Sequence, residues 1–136
     1  FLRELQVDMD QAKTHLTTSK QWVGSPVELS EGKAVVELET LPDMAVDDFN
    51  LVHGGFIFGL ADYAAMLSIN HPNVVLGGSS NRFLKPVVAG EKVVAIATLA
   101  RQEGKKNIIE VVVNRGDEAV FTGEFTCFIP EKHVLA

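Results

Sequence analysis

The stretch GGFIFGLADYAAMLSIN, residues 54–70, decides the fold of this 136-residue chain. It is apolar on nearly every side, a pattern that predicts a helix buried all round. The run from Gly54 to Ile69 spans about 16 residues, shorter than the ~20 that a membrane span needs, and Asp62 lies in its middle. His71-Pro72 follows, and the proline predicts the end of the helix. We therefore expect this stretch to be the long central helix of a folded domain.

Strands are predicted on both sides of this helix. Residues 33–40 alternate between apolar and charged side chains, and together with residues 26–30 they predict a β-hairpin. After the helix, short turns separate successive apolar runs, so neighbouring strands are expected to be antiparallel. Further strands are predicted over residues 74–84, 91–102, 106–114 and 119–129, and residues 41–52 are interpreted as a loop. The pattern favours an α+β fold with an antiparallel sheet of five or six strands.

The first 20 residues carry a weaker signal. Leu2, Leu5, Met9 and Leu16 fall near helical spacing, which predicts a short amphipathic helix over about residues 3–17. A frayed terminus is the alternative interpretation.

Composition bounds the class of protein. Hydrophobic residues make up 46% of the chain and charged residues 22%, as expected for a single globular domain over residues 1–136. Twelve basic against 18 acidic residues give a net charge of −6, so we expect neither nucleic acid nor a membrane surface as a partner. Residues 1–5 show no signal-peptide pattern, and the lone Cys127 excludes an intrachain disulfide. These features predict a reducing, cytoplasmic location.

The candidate site combines residues 50–55, Asn-Leu-Val-His-Gly-Gly, with Asp62. Gly54 and Gly55 lie where the loop becomes the helix, and the first amides of a helix have no intrahelical acceptor. Without a Cβ in the way, such amides can polarise a carbonyl oxygen, as in the oxyanion hole of acyl transfer. Asp62 is the only ionisable group of the apolar run, and burial would raise its pKa into the range of a general base.

The spacing of these groups predicts a shared site. Asp62 follows Gly54 and Gly55 by eight and seven residues, which is about 10–12 Å along a helix. A carboxylate at that distance cannot reach a water that attacks a carbonyl held at the glycine amides. If both parts act, two chains in an antiparallel arrangement would bring them together, and an isologous dimer has that symmetry.

At these residues the chain resembles a known family. His53-Gly54-Gly55 opens an apolar helix, Asp62 lies nine residues after His53, and Phe83-Leu84-Lys85-Pro86 is followed by Gly90-Glu91. This spaced pattern is similar to that of the hotdog-fold acyl-CoA thioesterases of the phenylacetate-pathway, or PaaI-like, type. The resemblance extends over about residues 22–130.

The resemblance implies an antiparallel sheet wrapped around the long helix, and homodimers or homotetramers with sites between subunits. It implies that Asp62 activates water or attacks the thioester directly, and that the amide of Gly54 polarises the carbonyl. His53 would position the thioester or brace the loop. No metal or redox cofactor is implied, because CoA enters only as part of the substrate.

Some positions depart from the family pattern or leave alternatives open. Asp47 and Asn50 stand where the family often has Asn and Gly, and Asn tolerates a left-handed backbone, so Asn50 can keep the turn. Ser79 or Ser80 could serve near the catalytic water, and Lys85 could meet CoA phosphates or be a solvated surface residue. Asp62, the glycines and His53 could instead be structural. The residues that could line an aryl or fatty-acyl pocket are Phe56, Phe58, Tyr63, Met66 and Phe83.

The sequence thus predicts an enzyme that hydrolyses an acyl-CoA thioester to a free acid and CoA, with an acyl carrier protein as the other possible carrier. Two other functions stay open. One is a non-catalytic acyl-CoA-binding or sensing module on the same fold. The other is a hotdog enoyl-CoA hydratase or dehydratase. The sequence does not identify the acyl group.

Overall fold

The computed structural model describes residues 9–136. The elements in chain order are α1 (Lys20–Val23), β1 (Ser25–Ser30), β2 (Lys33–Glu39), a 3-10 turn (Pro42–Met44), α2 (Gly54–Ile69), β3 (Val75–Phe83), β4 (Lys92–Glu103), β5 (Lys106–Arg115) and β6 (Glu118–Phe128). The six strands form one sheet in the order β1-β2-β4-β5-β6-β3, and every neighbouring pair is antiparallel. The predicted α+β architecture is confirmed, with strand bounds that differ from the prediction by at most one residue.

The long helix α2 packs on one face of this sheet and forms the centre of the core. Its side chains from Leu60 to Ser68, except Asp62, are buried, and small residues let the helix approach the strands closely. The sheet presents fully buried residues toward the helix, among them Ala95 and Ala97 of β4 and Phe121 and Phe125 of β6. The predicted burial of the central helix is thereby confirmed over its second half.

The bounds of α2 follow from its sequence. It begins at Gly54 and ends at Ile69, and Asn70 follows in a left-handed conformation with φ 53°, its amide donating to Met66. The helix thus ends before Pro72, as predicted, and a turn through Pro72 and Asn73 follows, in which Val74 N donates to His71 O. Among residues 9–136, no helix is long and apolar enough to span a membrane.

Two backbone links hold the start of α2 against the segment that follows β3. Val52 N donates to Val87 O at 2.8 Å, and Ala89 N donates to Asn50 O at 2.8 Å. His53 N also donates to Met44 O at 2.9 Å, which fixes the end of the predicted loop. The loop is therefore ordered by hydrogen bonds to distant backbone, although only Pro42–Met44 within it is helical.

The predicted N-terminal helix is wrong over its described part. Residues 9–17 form no helix, residues 3–8 lie outside the described residues, and the only early helix is the four-residue α1. The reason is tertiary: Asp10 N donates to Leu29 O, and Lys13 N donates to the side chain of Asn70. Amides used in this way are not available for i−4 bonds, and this overrides a weak helical periodicity.

The core predicts a large cost for truncation of α2. Leu67 is fully buried, so Leu67→Ala should lower the free energy of unfolding by about 2–5 kcal/mol. The matched change Leu16→Ala, at a side chain that is 71% exposed, should change it by no more than ~0.5 kcal/mol. Urea unfolding at one fixed protein concentration measures both, and equal effects would contradict this description of the core.

Candidate active site

The start of α2 presents two free backbone donors. His53 is the N-cap, but its side chain makes no capping hydrogen bond. Phe56 N donates to His53 O, whereas the amides of Gly54 and Gly55 donate to no acceptor among the described residues. Two adjacent N–H groups at the positive end of a 16-residue helix are suited to hold an oxygen that gains negative charge.

The side chain of His53 folds back over the glycines. A Cβ placed on Gly55 would lie 2.9 Å from His53 Nε2, so the imidazole occupies the space beside that glycine. The ring also meets Phe56 edge-to-face, with centroids 6.0 Å apart. His53 therefore packs against the helix start, and its ring remains exposed. Whether it positions a thioester or braces the loop stays a prediction.

An apolar cavity of about 270 Å³ adjoins Gly54. Its lining comes from the loop before α2, from α2 itself, from the segment after β3 and from the start of β6. The lining side chains are apolar except for Lys85: Leu51, Val52, Ile57, Phe83, Leu84, Pro86, Val87 and Val120. The ring of Phe83 would lie 3.2 Å from a Cβ on Gly54, so any side chain there would narrow the approach to the amide.

Asp62 lies half-buried on α2, and its carboxylate has no hydrogen-bond partner within residues 9–136. Its Oδ1 is buried and accepts no hydrogen bond from the described residues. Desolvation by this burial raises the pKa of Asp62 from 3.8 to about 6. A carboxylate with such a pKa can accept a proton near neutral pH, as predicted from its position in an apolar run.

Cys127 is fully buried near this carboxylate. Burial, together with the charge of Asp62, raises the pKa of its thiol to about 12, so it packs as a neutral group.

Residues 9–136 contain no group of three His, Cys, Asp or Glu side chains close enough to share a metal ion.

Within one chain the structure does not bring Asp62 to the cavity at Gly54. Asp62 is absent from the cavity lining, and the eight-residue separation on one helix is about 12 Å. The distance argued from the sequence therefore holds in the fold. The shared site between two copies stays a prediction.

The two departures from the family pattern have different structural roles. Asn50 adopts the left-handed backbone expected of it, with φ 64°. The Asp47 carboxylate accepts from the amides of Phe49 and Leu51 at 3.0 and 3.3 Å. Asp47 thus shapes the loop, and neither residue lines the cavity.

The other candidate residues are dispersed. Phe56 packs against Trp22, with ring centroids 5.7 Å apart, and does not line the cavity. Ser79 and Ser80 lie on exposed β3, opposite Phe125 and Glu124, so they point to opposite faces of the sheet. Lys85 lies at the cavity, exposed and 3.9 Å from Glu118.

Of the aromatic and apolar pocket candidates, one lines the cavity. Phe83 does so, whereas Phe58 stacks on Phe125 at 5.5 Å, and Tyr63 and Met66 belong to the buried core. Sequence reasoning missed Ile57, Val87 and Val120 as cavity residues, because only the packing of separate elements brings them together.

Sequence reasoning also missed Asn81. It lies two residues before Phe83 on β3, and its Oδ1 is buried without a partner among the described residues. Because the strand register shifts between Leu76 and Gly78, the alternation of residues in the sequence does not show on which face of β3 Asn81 lies.

Comparison with known proteins agrees with this geometry. A family model described as "Thioesterase superfamily" matches residues 49–122, which include the glycine loop, α2 and Asp62. The chain belongs to the thioesterase superfamily. Its resemblance to hotdog-fold thioesterases is thereby confirmed.

Solved structures support the same fold assignment for this superfamily member. The chain is 52% identical to an uncharacterised protein, PH1136, from Pyrococcus horikoshii, with a TM-score of 0.92 and coverage of 96% of this chain and 100% of that one. It is 27% identical to a mutant of the phenylacetic acid degradation protein PaaI from Thermus thermophilus, with a TM-score of 0.74 and coverage of 82% and 97%. The hotdog fold is therefore confirmed.

The curated relatives carry different names. A methylthioribose-1-phosphate isomerase from Aquifex aeolicus is 48% identical over 113 residues, which is 83% of this chain and 25% of that protein. The transcription factor FapR from a Thermoanaerobacter species is 30% identical over 114 residues, which is 83% of this chain and 57% of that protein. The chain thus spans between a quarter and just over half the length of these two relatives.

The buried carboxylate predicts a pH-dependent stability. The pKa of Asp62 is higher in the folded state than in the unfolded state. The side chain therefore makes its full contribution to the free energy of unfolding below about pH 4, and this contribution is lost as the pH rises through about 6. Asp62→Asn should therefore melt at a higher temperature than the original chain at pH 7.5, and the difference should shrink toward pH 4. Thermal unfolding across this pH range, with Asp43→Asn at an exposed site as the control, measures it. A difference that does not change with pH would contradict the buried, unpaired carboxylate.

Proposed function

We propose that this chain hydrolyses acyl-CoA thioesters to a free acid and CoA. The observation that carries the proposal is the pair of free amides at Gly54 and Gly55 beside an apolar cavity. Membership in the thioesterase superfamily supports the reaction class.

In the proposed mechanism the thioester oxygen accepts hydrogen bonds from the amides of Gly54 and Gly55. These bonds strengthen as the oxygen becomes negative, and the N-terminal end of the α2 dipole acts in the same direction. Catalysis needs such preferential binding of the transition state. Since the glycines have no side chains, the oxygen can approach both amides closely.

The base is proposed to be Asp62 of a second copy. It takes a proton from water while the water oxygen adds to the carbonyl carbon; the C–S bond then breaks, and the leaving thiolate takes up the proton. Direct attack by the Asp62 carboxylate, with an anhydride that water then hydrolyses, is the alternative route.

The free edge of the sheet supports a two-copy site. β3 pairs with β6 on one side and with no strand of residues 9–136 on the other. An unpaired nine-residue strand is a template for another strand. Antiparallel pairing of β3 with its copy would set two α2 helices in opposite directions, so that the start of each helix faces Asp62 of the other.

The volume and lining of the cavity favour a substrate with a neutral, apolar acyl group of moderate size. Its volume of about 270 Å³ compares with the ~150 Å³ of an apolar cavity that binds benzene. Its only charged lining residue, Lys85, lies exposed, so a second carboxylate on the acyl chain would find no buried partner.

A sensing module is the second candidate function. It is favoured by the FapR relatives, whose name describes a transcription factor and of which this chain covers 57% in the first case. Such a module would bind acyl-CoA without turnover. Hydrolysis measured over minutes to hours with purified protein separates the two functions.

Replacement of Asp62 should abolish the reaction. With a panel of CoA esters from acetyl through octanoyl to palmitoyl, plus phenylacetyl and succinyl, we expect the octanoyl and phenylacetyl esters to give the highest kcat/KM. Asp62→Asn and Asp62→Ala should lower kcat by roughly 10²–10⁴-fold, the range typical for a lost general base. Thiol release measured with a colorimetric reagent reports the rate, and Asp43→Asn serves as the matched control. Full activity in both Asp62 variants would contradict the proposed mechanism.

The rate should also depend on pH in a defined direction. A base must be deprotonated, and the pKa of Asp62 is raised to about 6, so kcat/KM should rise about tenfold per pH unit below 6 and level off above it. The residual activity of Asp62→Asn should not show this rise in kcat/KM below pH 6. A profile that is flat from pH 5 to 8 in the original chain would argue against Asp62 as the base.

A further inference from the structure

The face of β3 that looks toward α2 carries a polar side chain that the proposed mechanism does not yet use. The strand register places Asn81 opposite Gly123, between the pairs Ser79–Phe125 and Phe83–Phe121. Phe121 and Phe125 are fully buried, and Phe125 stacks on Phe58 of α2. Asn81 therefore points to the helix side of the sheet, not to its outer face.

Gly123 makes room for the Asn81 side chain. A Cβ at position 123 would lie 2.7 Å from Asn81 Oδ1 and 2.8 Å from the ring of Phe125, both closer than real contacts. The carboxamide thus lies across the neighbouring strand in a space that only glycine leaves open. Glycine weakens a strand interior, so this space has a cost in stability.

The oxygen held in this space has no donor. Asn81 Nδ2 donates to Ser79 Oγ at 3.1 Å, whereas Oδ1 is buried and receives no hydrogen bond from the described residues. A buried acceptor without a donor carries a desolvation penalty that an apolar residue of the same size would avoid. A glycine and an amide oxygen without a donor lie at one place, and each is unfavourable by itself. Together they indicate a ligand with a hydrogen-bond donor.

Asn81 lies next to the proposed oxyanion site. Phe83, the next residue on the same face, is about 7 Å farther along the strand, and its ring touches Gly54. Asn81 is thus one side-chain position away from the helix start where the thioester carbonyl is proposed to bind.

The chemistry of the reaction identifies the donor. The thioester oxygen and sulfur only accept hydrogen bonds, the Asp62 carboxylate only accepts them, and the amides of Gly54 and Gly55 are directed to the carbonyl. Water is the one reactant with hydrogens to donate at the reacting centre. Resting on the proposed function, we infer that Asn81 positions the attacking water.

In this arrangement the water donates one hydrogen to Asp62 of the second copy and the other to Asn81 Oδ1. Its lone pair is then directed at the carbonyl carbon. The first proton passes to Asp62 as the C–O bond forms. The C–S bond then breaks, the leaving thiolate takes up that proton, and the second hydrogen stays on the new acid. Asn81 neither gains nor loses a proton, so it is a positioning residue.

Asn81→Leu tests this role, because leucine has nearly the same size and no acceptor. With octanoyl-CoA, kcat should fall on the order of 10- to 100-fold, as for a misplaced nucleophile, while KM stays within about twofold. The melting temperature of Asn81→Leu should equal or exceed that of the original chain, since leucine has no buried oxygen that lacks a donor. Hydroxylamine, a stronger nucleophile that does not need the water site, should give a higher ratio of hydroxamate to acid in Asn81→Leu than in the original chain.

Asn107→Leu is the matched control. Asn107 is also a buried asparagine of the sheet, but its amide donates to Cys127 O and accepts from Gln102. We expect this change to lower the melting temperature and to leave kcat within about twofold. Ser79→Ala, which removes the hydroxyl bound to Asn81 but not the acceptor, should lower kcat less than Asn81→Leu.

The outcomes separate the two proposals. Unchanged kcat in Asn81→Leu, a change confined to KM, or an unchanged hydroxamate ratio would overturn the role of Asn81 while the thioesterase function stands. An original chain that binds acyl-CoA but hydrolyses no ester of the panel would overturn both.

Discussion

Close packing of α2 on the sheet is the constraint on which the rest of the structure depends. Ala61, Ala64 and Ala65 are fully buried against strands that present alanine and valine, so the helix cannot shift or rotate without opening voids in the core. This fixed position determines what its other residues meet. Gly54 is set beside the end of β3, and Asp62 lies in a partly buried place where no donor from the described part of the chain reaches its Oδ1.

Several local features near this helix are unfavourable for stability, and they cluster. Among residues 9–136, two amides at its start and the Asn81 oxygen have no hydrogen-bond partner, two glycines occupy its first turn, and Asp62 is desolvated. Chains under selection for folding alone would replace such groups, since each costs free energy of unfolding. The amides and glycines lie at the helix start, Asn81 lies on the edge strand nearby, and Asp62 lies about 12 Å farther along the helix. Groups of this kind are typical of a site built for chemistry. The backbone bonds from Val52 and to Asn50 hold that site in place.

Much of the fold could be predicted from local patterns. The apolar run, its proline stop and the alternating strands each depend on neighbours in the sequence, and α2 and all six strands lie where these patterns predicted them. The N-terminal segment could not be predicted in this way, because the hydrogen bonds that keep it from being helical go to Leu29 and Asn70, far along the chain. The register of β3 was hidden for a related reason, the bulge at Gly77-Gly78.

By itself, the sequence determined the spacing of His53, Gly54 and Asp62, and with it the family and the distance that one helix imposes between the glycine amides and the Asp62 carboxylate. It determined the left-handed turn at Asn50, because few residues other than glycine adopt that conformation. Only the tertiary structure decided that Phe83 rather than Phe56 faces the cavity, that Asp47 holds the loop, and that Asn81 Oδ1 lies over Gly123 without a donor from residues 9–136. The physical reason is that helix and strand formation depend on neighbouring residues, whereas a cavity wall or an unpaired oxygen depends on which distant segments pack together.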